Sequence, residues 1–141
     1  MLKQKLKSAT FKHIESELFN YHLTVRLLAQ RREEILYGSS QPDDNIGGGK
    51  SNLPGDPTGR IAIALVSDKR IQHLENIVNA ITTVTNQLHP ERLEFVKLRY
   101  WTQPQTLTWV GIALQLNCGR STLFNWREDI VTAIAEHMGW E

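Results

Sequence analysis

The stretch Thr108-Trp109-Val110-Gly111-Ile112-Ala113-Leu114-Gln115-Leu116-Asn117-Cys118-Gly119-Arg120-Ser121-Thr122-Leu123-Phe124-Asn125-Trp126-Arg127 decides the fold. Ala113 is small where two helices must approach, and Leu116 and Cys118 are apolar on either side of a bend. Asn117 stands where a residue tolerant of positive φ is needed. Beyond the bend, Leu123, Trp126, Ile130 and Ile134 recur at steps of three, four and four, which makes an apolar stripe and leaves Ser121, Thr122, Asn125 and Glu128 facing away. This pattern predicts a helix-turn-helix whose second helix offers a polar face to a major groove. Arg120 has the fork for guanine N7 and O6, Asn125 suits adenine, and Ser121 and Thr122 suit a base edge or a phosphate. Arg127 is expected on phosphate, as are the backbone N–H groups near Thr106 or Thr108 at the start of the first helix. A bundle that binds nothing would need the same apolar spacing, so the polar outer face is what favours double-stranded DNA as the partner.

Immediately upstream, Pro90 opens a helix through Leu93, Val96 and Tyr100 that stops before Pro104. All four tryptophans, Trp101, Trp109, Trp126 and Trp140, follow it, so residues 89–141 are expected to form a compact module with large side chains in a core of its own. Its formal charge from Pro90 onward is −1, with Arg92, Lys97, Arg99, Arg120 and Arg127 against Glu91, Glu94, Glu128, Asp129, Glu136 and Glu141. Such a module alone should bind DNA weakly. Lys3, Lys5, Lys7 and Lys12 precede the first acid, Glu15, and form a tail that either lies on DNA backbone or is a solvated end.

Towards the amino terminus, Phe11, Ile14, Leu18, Tyr21, Val25, Leu28 and Ile35 step by threes and fours, with Arg32 filling one gap. They predict one seamed helix from about residue 8 to Tyr37 within residues 1–37, capped by Ser8 or Thr10 and ended by a left-handed Gly38. Residues 38–56 carry two prolines, five glycines and only Ile46 and Leu53 as large apolar residues, the composition of a flexible linker. Asp56-Pro57 then starts a long helix over 57–88, with a seam at Ile71, Leu74, Ile77, Val78, Ile81, Val84 and Leu88. Its opening run, Ile61 to Val66, is apolar all round and should be the more buried part, and Ser67-Asp68 offers a possible break near residue 67. The fold class is therefore all-α: a long, coiled-coil-like helical hairpin followed by a helix-turn-helix. Two hairpins sharing one bundle would give a homodimer or larger homo-oligomer through Leu18, Val25, Leu28, Leu74, Val78 and Ile81.

The 141 residues carry 16 Lys+Arg against 15 Asp+Glu, a net charge too balanced to announce a nucleic-acid binder by itself. One cysteine, Cys118, excludes an internal disulfide and suits a reducing compartment. With no apolar run of about 18 residues and no apolar stretch after Met1, neither a membrane span nor an export signal is expected. Gly49-Lys50-Ser51 imitates the end of a phosphate-binding loop, but Asp44 stands where that loop needs glycine. His13, His22, His73, His89 and His137 are scattered without metal-ligand spacing. No metal, cofactor, small-molecule substrate or catalytic residue is expected, and the chain is not read as an enzyme.

Taken in order, the seamed first helix, the linker Asp43-Asp44-Asn45-Ile46-Gly47-Gly48-Gly49, the start Asp56-Pro57-Thr58, and the end from Leu98-Arg99-Tyr100-Trp101 through Phe124-Asn125-Trp126-Arg127 resemble the RinA/ArpU-type phage transcriptional regulators. The likeness covers most of the chain. Val96-Lys97-Leu98-Arg99-Tyr100, Ile112-Ala113 and Arg120-Ser121-Thr122 are also similar to the promoter-reading region 4 of sigma factors. The resemblance departs at Asn117, where glycine is usual, and at Gly119, where serine is frequent. It implies a transcriptional activator of late packaging and lysis genes, working as an oligomer with host RNA polymerase in the bacterial cytoplasm at the nucleoid. The alternative is a small terminase-like packaging component, which also joins a helix-turn-helix to oligomerising helices.

Overall fold

The computed structural model describes residues 5–38 and 57–141, and everything described in it is helical or connecting loop. Seven helices follow one another: α1 Ser8–Phe19, α2 Tyr21–Gly38, α3 Pro57–Ser67, α4 Lys69–Asn86, α5 Pro90–Tyr100, α6 Trp109–Leu116 and α7 Arg120–Met138. The linker expected over 38–56 lies outside the described residues except for Gly38, as do Lys3 and Gly49-Lys50-Ser51.

The seamed first helix is in fact two. At the break, Asn20, the indole N–H of Trp101 donates to the Leu18 carbonyl at 3.1 Å, and the Tyr21 ring stacks on Trp101 with centroids 5.1 Å apart. A side chain inserted at the backbone ladder is an ordinary cause of a kink. The consequence is a change of register. α1 buries Ile14 and Leu18, whereas α2 buries Thr24 and Leu28, so Val25, expected on the seam, is left 37% exposed. The expected caps also differ, because Lys7 precedes α1 without a side-chain cap and Gly38 is not in the left-handed region.

α2 lies antiparallel to the span formed by α3 and α4. Tyr21 Oη, at the start of α2, meets Thr82 Oγ1 at 2.7 Å near the end of α4, whereas Arg31 and Arg32, further along α2, bond Asp68 at 2.8 Å and Glu75 at 2.5 Å near its start. The break between α3 and α4 falls at Asp68, whose carboxylate accepts the Ile71 N–H at 2.9 Å while holding Arg31. This is an N-cap in mid-span, the role Ser67-Asp68 offers in the sequence. The Arg31 guanidinium, with the Ile71 N–H, holds Asp68 below its ordinary range.

One core joins the two halves of the chain. Ile14 and Leu18 from α1 and Ile77, Ile81 and Val84 from α4 pack with Phe95, Tyr100, Ile112, Leu123, Ile130 and Ile134. The C-terminal helices thus do not build a separate core, and the four tryptophans are half-buried at its margin while Phe95 and Tyr100 fill its centre. The α2–α4 pairing adds a small second cluster of Leu28, Ile71 and Leu74. Burial at these positions redirects the expected oligomer contacts. Leu18, Leu28, Leu74 and Ile81 are buried within the chain itself, Val78 is half-buried, and only Val25 is exposed.

The apolar run of α3 is the largest departure. It was expected to be the more buried part of its span, yet α3 contains no buried residue; Ile63 is 70% and Val66 74% exposed. The cause is geometric: among the described residues α3 packs chiefly against α2 and α4, which leaves its other side open.

Candidate nucleic-acid interface

α6 and α7 form the two arms of the bend anticipated in the sequence. Thr108 caps α6, its Oγ1 accepting the Gly111 N–H at 3.0 Å. The helix ends at Asn117, which is left-handed at φ 57°, ψ 47°. There the Asn117 N–H donates to the Leu114 carbonyl and the Cys118 N–H donates to the Ala113 carbonyl at 3.0 Å, the paired bonds of a Schellman stop. Asparagine tolerates this conformation better than most residues, which is why a bend without glycine is stable here. Ala113 is buried at the approach, while Cys118 is half-buried.

α7 starts directly at Arg120, with Gly119 as its N-cap. Leu123, Ile130 and Ile134 face the core, whereas Arg120, Ser121 and Asn125 are exposed and Thr122 is half-buried. Of the six sequence-predicted residues, Arg120, Ser121, Thr122 and Asn125 thus lie on the first turns of α7, and Thr108 is the N-cap of α6. Gly119 has no side chain to bond the first-turn N–H groups, and no acid occupies that turn. Its backbone, at φ −83° and ψ 158°, suits any residue, and a Cβ there would come no closer than 3.9 Å to the Ser121 hydroxyl. Gly119→Ser is therefore expected to raise the unfolding free energy by about 0.3–1 kcal/mol, read as a higher denaturant midpoint at unchanged slope.

Arg127, the sixth, is committed elsewhere. Its Nε and a terminal nitrogen donate to the two oxygens of Glu15 at 2.8 and 2.6 Å, and its guanidinium lies 4.8 Å from the Phe11 ring centre. Tyr100 donates its hydroxyl to the same carboxylate at 2.7 Å. Burial raises the Glu15 carboxyl, but the bonds from Arg127 and Tyr100 outweigh it and hold the group below its ordinary value. Burial, then the charge of Glu15, pushes the Tyr100 phenol up, so it keeps its proton and remains a donor. Arg99 sits beside this network, 4.6 Å from the Trp109 ring centre. α1, α5 and α7 are thereby locked together beneath the exposed front of α7. Sequence reasoning missed Glu15; the available signal was an acid flanked by Ile14 and Leu18 on the inward side of α1.

Lys5 and Lys12 lie near the same helix. A groove of about 800 Å³ has Lys5, Leu6, Phe11 and Lys12 on one wall and Phe124, Glu128, Asp129 and Thr132 of α7 on the other. Among the described residues no helix is long and apolar enough to cross a membrane, and no cluster of three metal-ligating side chains occurs.

Residues 13–136 match the family model described as "Protein of unknown function (DUF722)". No curated protein and no solved structure matches the chain.

Proposed function

We propose that this chain, which belongs to the DUF722 family, is a sequence-specific DNA-binding protein that enters a major groove with the front of α7. The observation that carries the reading is the capped α6, left-handed Asn117 and exposed Arg120, Ser121 and Asn125 in immediate succession. A bend of this kind projects the start of its second helix outward, and a bare helix start with no acid in its first turn suits a polyanion. Arg120 would read guanine, Asn125 adenine, and Ser121 and Thr122 a base edge or phosphate. Lys5 and Lys12 beside α7 would add backbone contacts that the C-terminal helices, at −1 overall, do not supply.

Given the sequence resemblance, the biological role we propose is activation of late phage genes together with host RNA polymerase, in the cytoplasm of the infected cell. The uncovered α3 also suits the packaging alternative, in which many copies close into a ring. Light scattering separates the two, since a ring of eight or more copies would favour packaging. The direct test is selection of bound fragments from sheared phage DNA, read by sequencing. Enrichment of one short sequence upstream of late genes is expected; recovery without enrichment over input would reject sequence-specific binding.

A further inference from the structure

Phe124 stands one helical turn after Arg120 and directly before Asn125 on α7. Residues four apart on a helix lie one above the other, so Arg120, Ser121, Phe124 and Asn125 make one continuous patch over its first two turns. Three of the four carry polar groups suited to base edges or phosphate. The fourth is a phenyl ring that remains 42% exposed, and among the described residues no other large apolar side chain of α7 is exposed.

Packing holds this ring in place. Its centroid lies 4.8 Å from that of Trp109, the first residue of α6, and Trp109 is in turn held by Phe95 at 6.0 Å and by the Arg99 guanidinium at 4.6 Å. A side chain seated in this way has little freedom left to lose when a ligand covers its open part. Phe124 also borders the groove whose far wall carries Lys5 and Lys12, the cations proposed to contact DNA backbone. The apolar residues of that wall, Leu6 and Phe11, are half-buried and packed on the core, while Arg120, Ser121, Asn125 and Glu128 around the ring are exposed and polar. An apolar protein surface finds no continuous patch there.

A phenyl ring offers a duplex no hydrogen bond. In the major groove the feature that an apolar side chain distinguishes is the C5 methyl group of thymine, which stands beside the hydrogen-bonding edges that Arg120 and Asn125 suit. We infer that Phe124 is a specificity-determining residue that selects thymine by covering this methyl group. The inference rests on the proposal that the front of α7 enters a major groove, and adds to it a base and an atom. Phe124 and Asn125 are ~1.5 Å apart along the helix axis, so the thymine belongs to the base pair sensed through Asn125 or to one beside it.

Deoxyuridine lacks the thymine methyl group and keeps every hydrogen-bonding group of the base, so it removes the contact from the DNA side and leaves the protein intact. The probes are the duplex enriched from sheared phage DNA and copies of it with deoxyuridine at one thymine at a time. Wild-type affinity is expected to fall about fourfold at one thymine per bound copy, the loss that one uncovered methyl group implies. Phe124→Ala should bind the thymine and deoxyuridine duplexes equally at that position. Phe124→Leu, which keeps an apolar side chain over Trp109, should retain about a twofold preference for thymine and guards against misfolding of the alanine variant. A wild type indifferent to deoxyuridine at every thymine would overturn the inference and leave the roles of Arg120 and Asn125 standing. So would a loss equally large in the wild type and in both variants, because another side chain then covers the methyl group. Failure of the wild type to distinguish enriched from random duplex would sink the proposed DNA reading itself, and this inference with it.

Discussion

Arg127→Ala is expected to lower the unfolding free energy by about 2–4 kcal/mol at pH 7, a figure set below that for a fully buried pair because the guanidinium is partly exposed. The side chain of Glu15 is only 12% exposed, so removing its bidentate partner leaves a carboxylate held by Tyr100 alone. The variant also loses the guanidinium over the Phe11 ring. The pH dependence follows from the direction of the Glu15 shift. In the folded wild type the carboxyl lies below its ordinary value of 4.5, so the unfolded chain binds the proton more readily. The stabilisation is thus complete above the ordinary carboxylate range and is lost as pH falls through the folded value. Without Arg127, burial is left to push Glu15 up, and the gap between wild type and variant should narrow on acidification. Urea unfolding at pH 7 and near pH 4 measures this. DNA binding per folded molecule should keep its salt dependence. An unchanged midpoint with a shallower salt slope would instead put Arg127 on phosphate, as its place in the sequence suggests.

Arg127 shows where the sequence stops being legible. Its partner lies 112 positions away, and no local pattern relates an arginine on α7 to an acid on α1. Local devices were readable, by contrast, because each acts within a few residues. The Asn117 bend, the Asp68 cap and the Pro57 and Pro90 helix starts all follow from backbone preferences that the residue types carry with them. The Asn20 break was not readable, because it depends on the indole of Trp101, and with it went the register that exposes Val25 and buries Thr24. α3 failed for another reason. A short helix that is apolar all round has the composition of a buried element and of an uncovered interface alike, and periodicity does not separate them. In the candidate site, Arg120, Ser121 and Asn125 have the exposure their expected role requires, whereas the Arg127 guanidinium is engaged by Glu15.

The second large effect is expected at Arg120. It is the first residue of α7 and exposed, so alanine there removes no packing, and the unfolding midpoint should move by no more than about 0.5 kcal/mol. Any loss in DNA binding then belongs to the interface. A bidentate contact to guanine contributes about 1–3 kcal/mol of discrimination, so the cognate affinity should fall by roughly 5- to 150-fold. Affinity for random duplex should fall far less, by the amount one positive charge contributes near phosphate, and the ratio of cognate to random binding should collapse. Asn125→Ala should act at a different base pair, because α7 advances ~7.5 Å along its axis between the two positions. Titrations against duplexes altered one base pair at a time measure both. Each variant should become indifferent to substitution at one position while still sensing the other. Equal losses on cognate and random DNA would reduce Arg120 to a phosphate contact, and undiminished cognate binding would place the reading surface away from the front of α7.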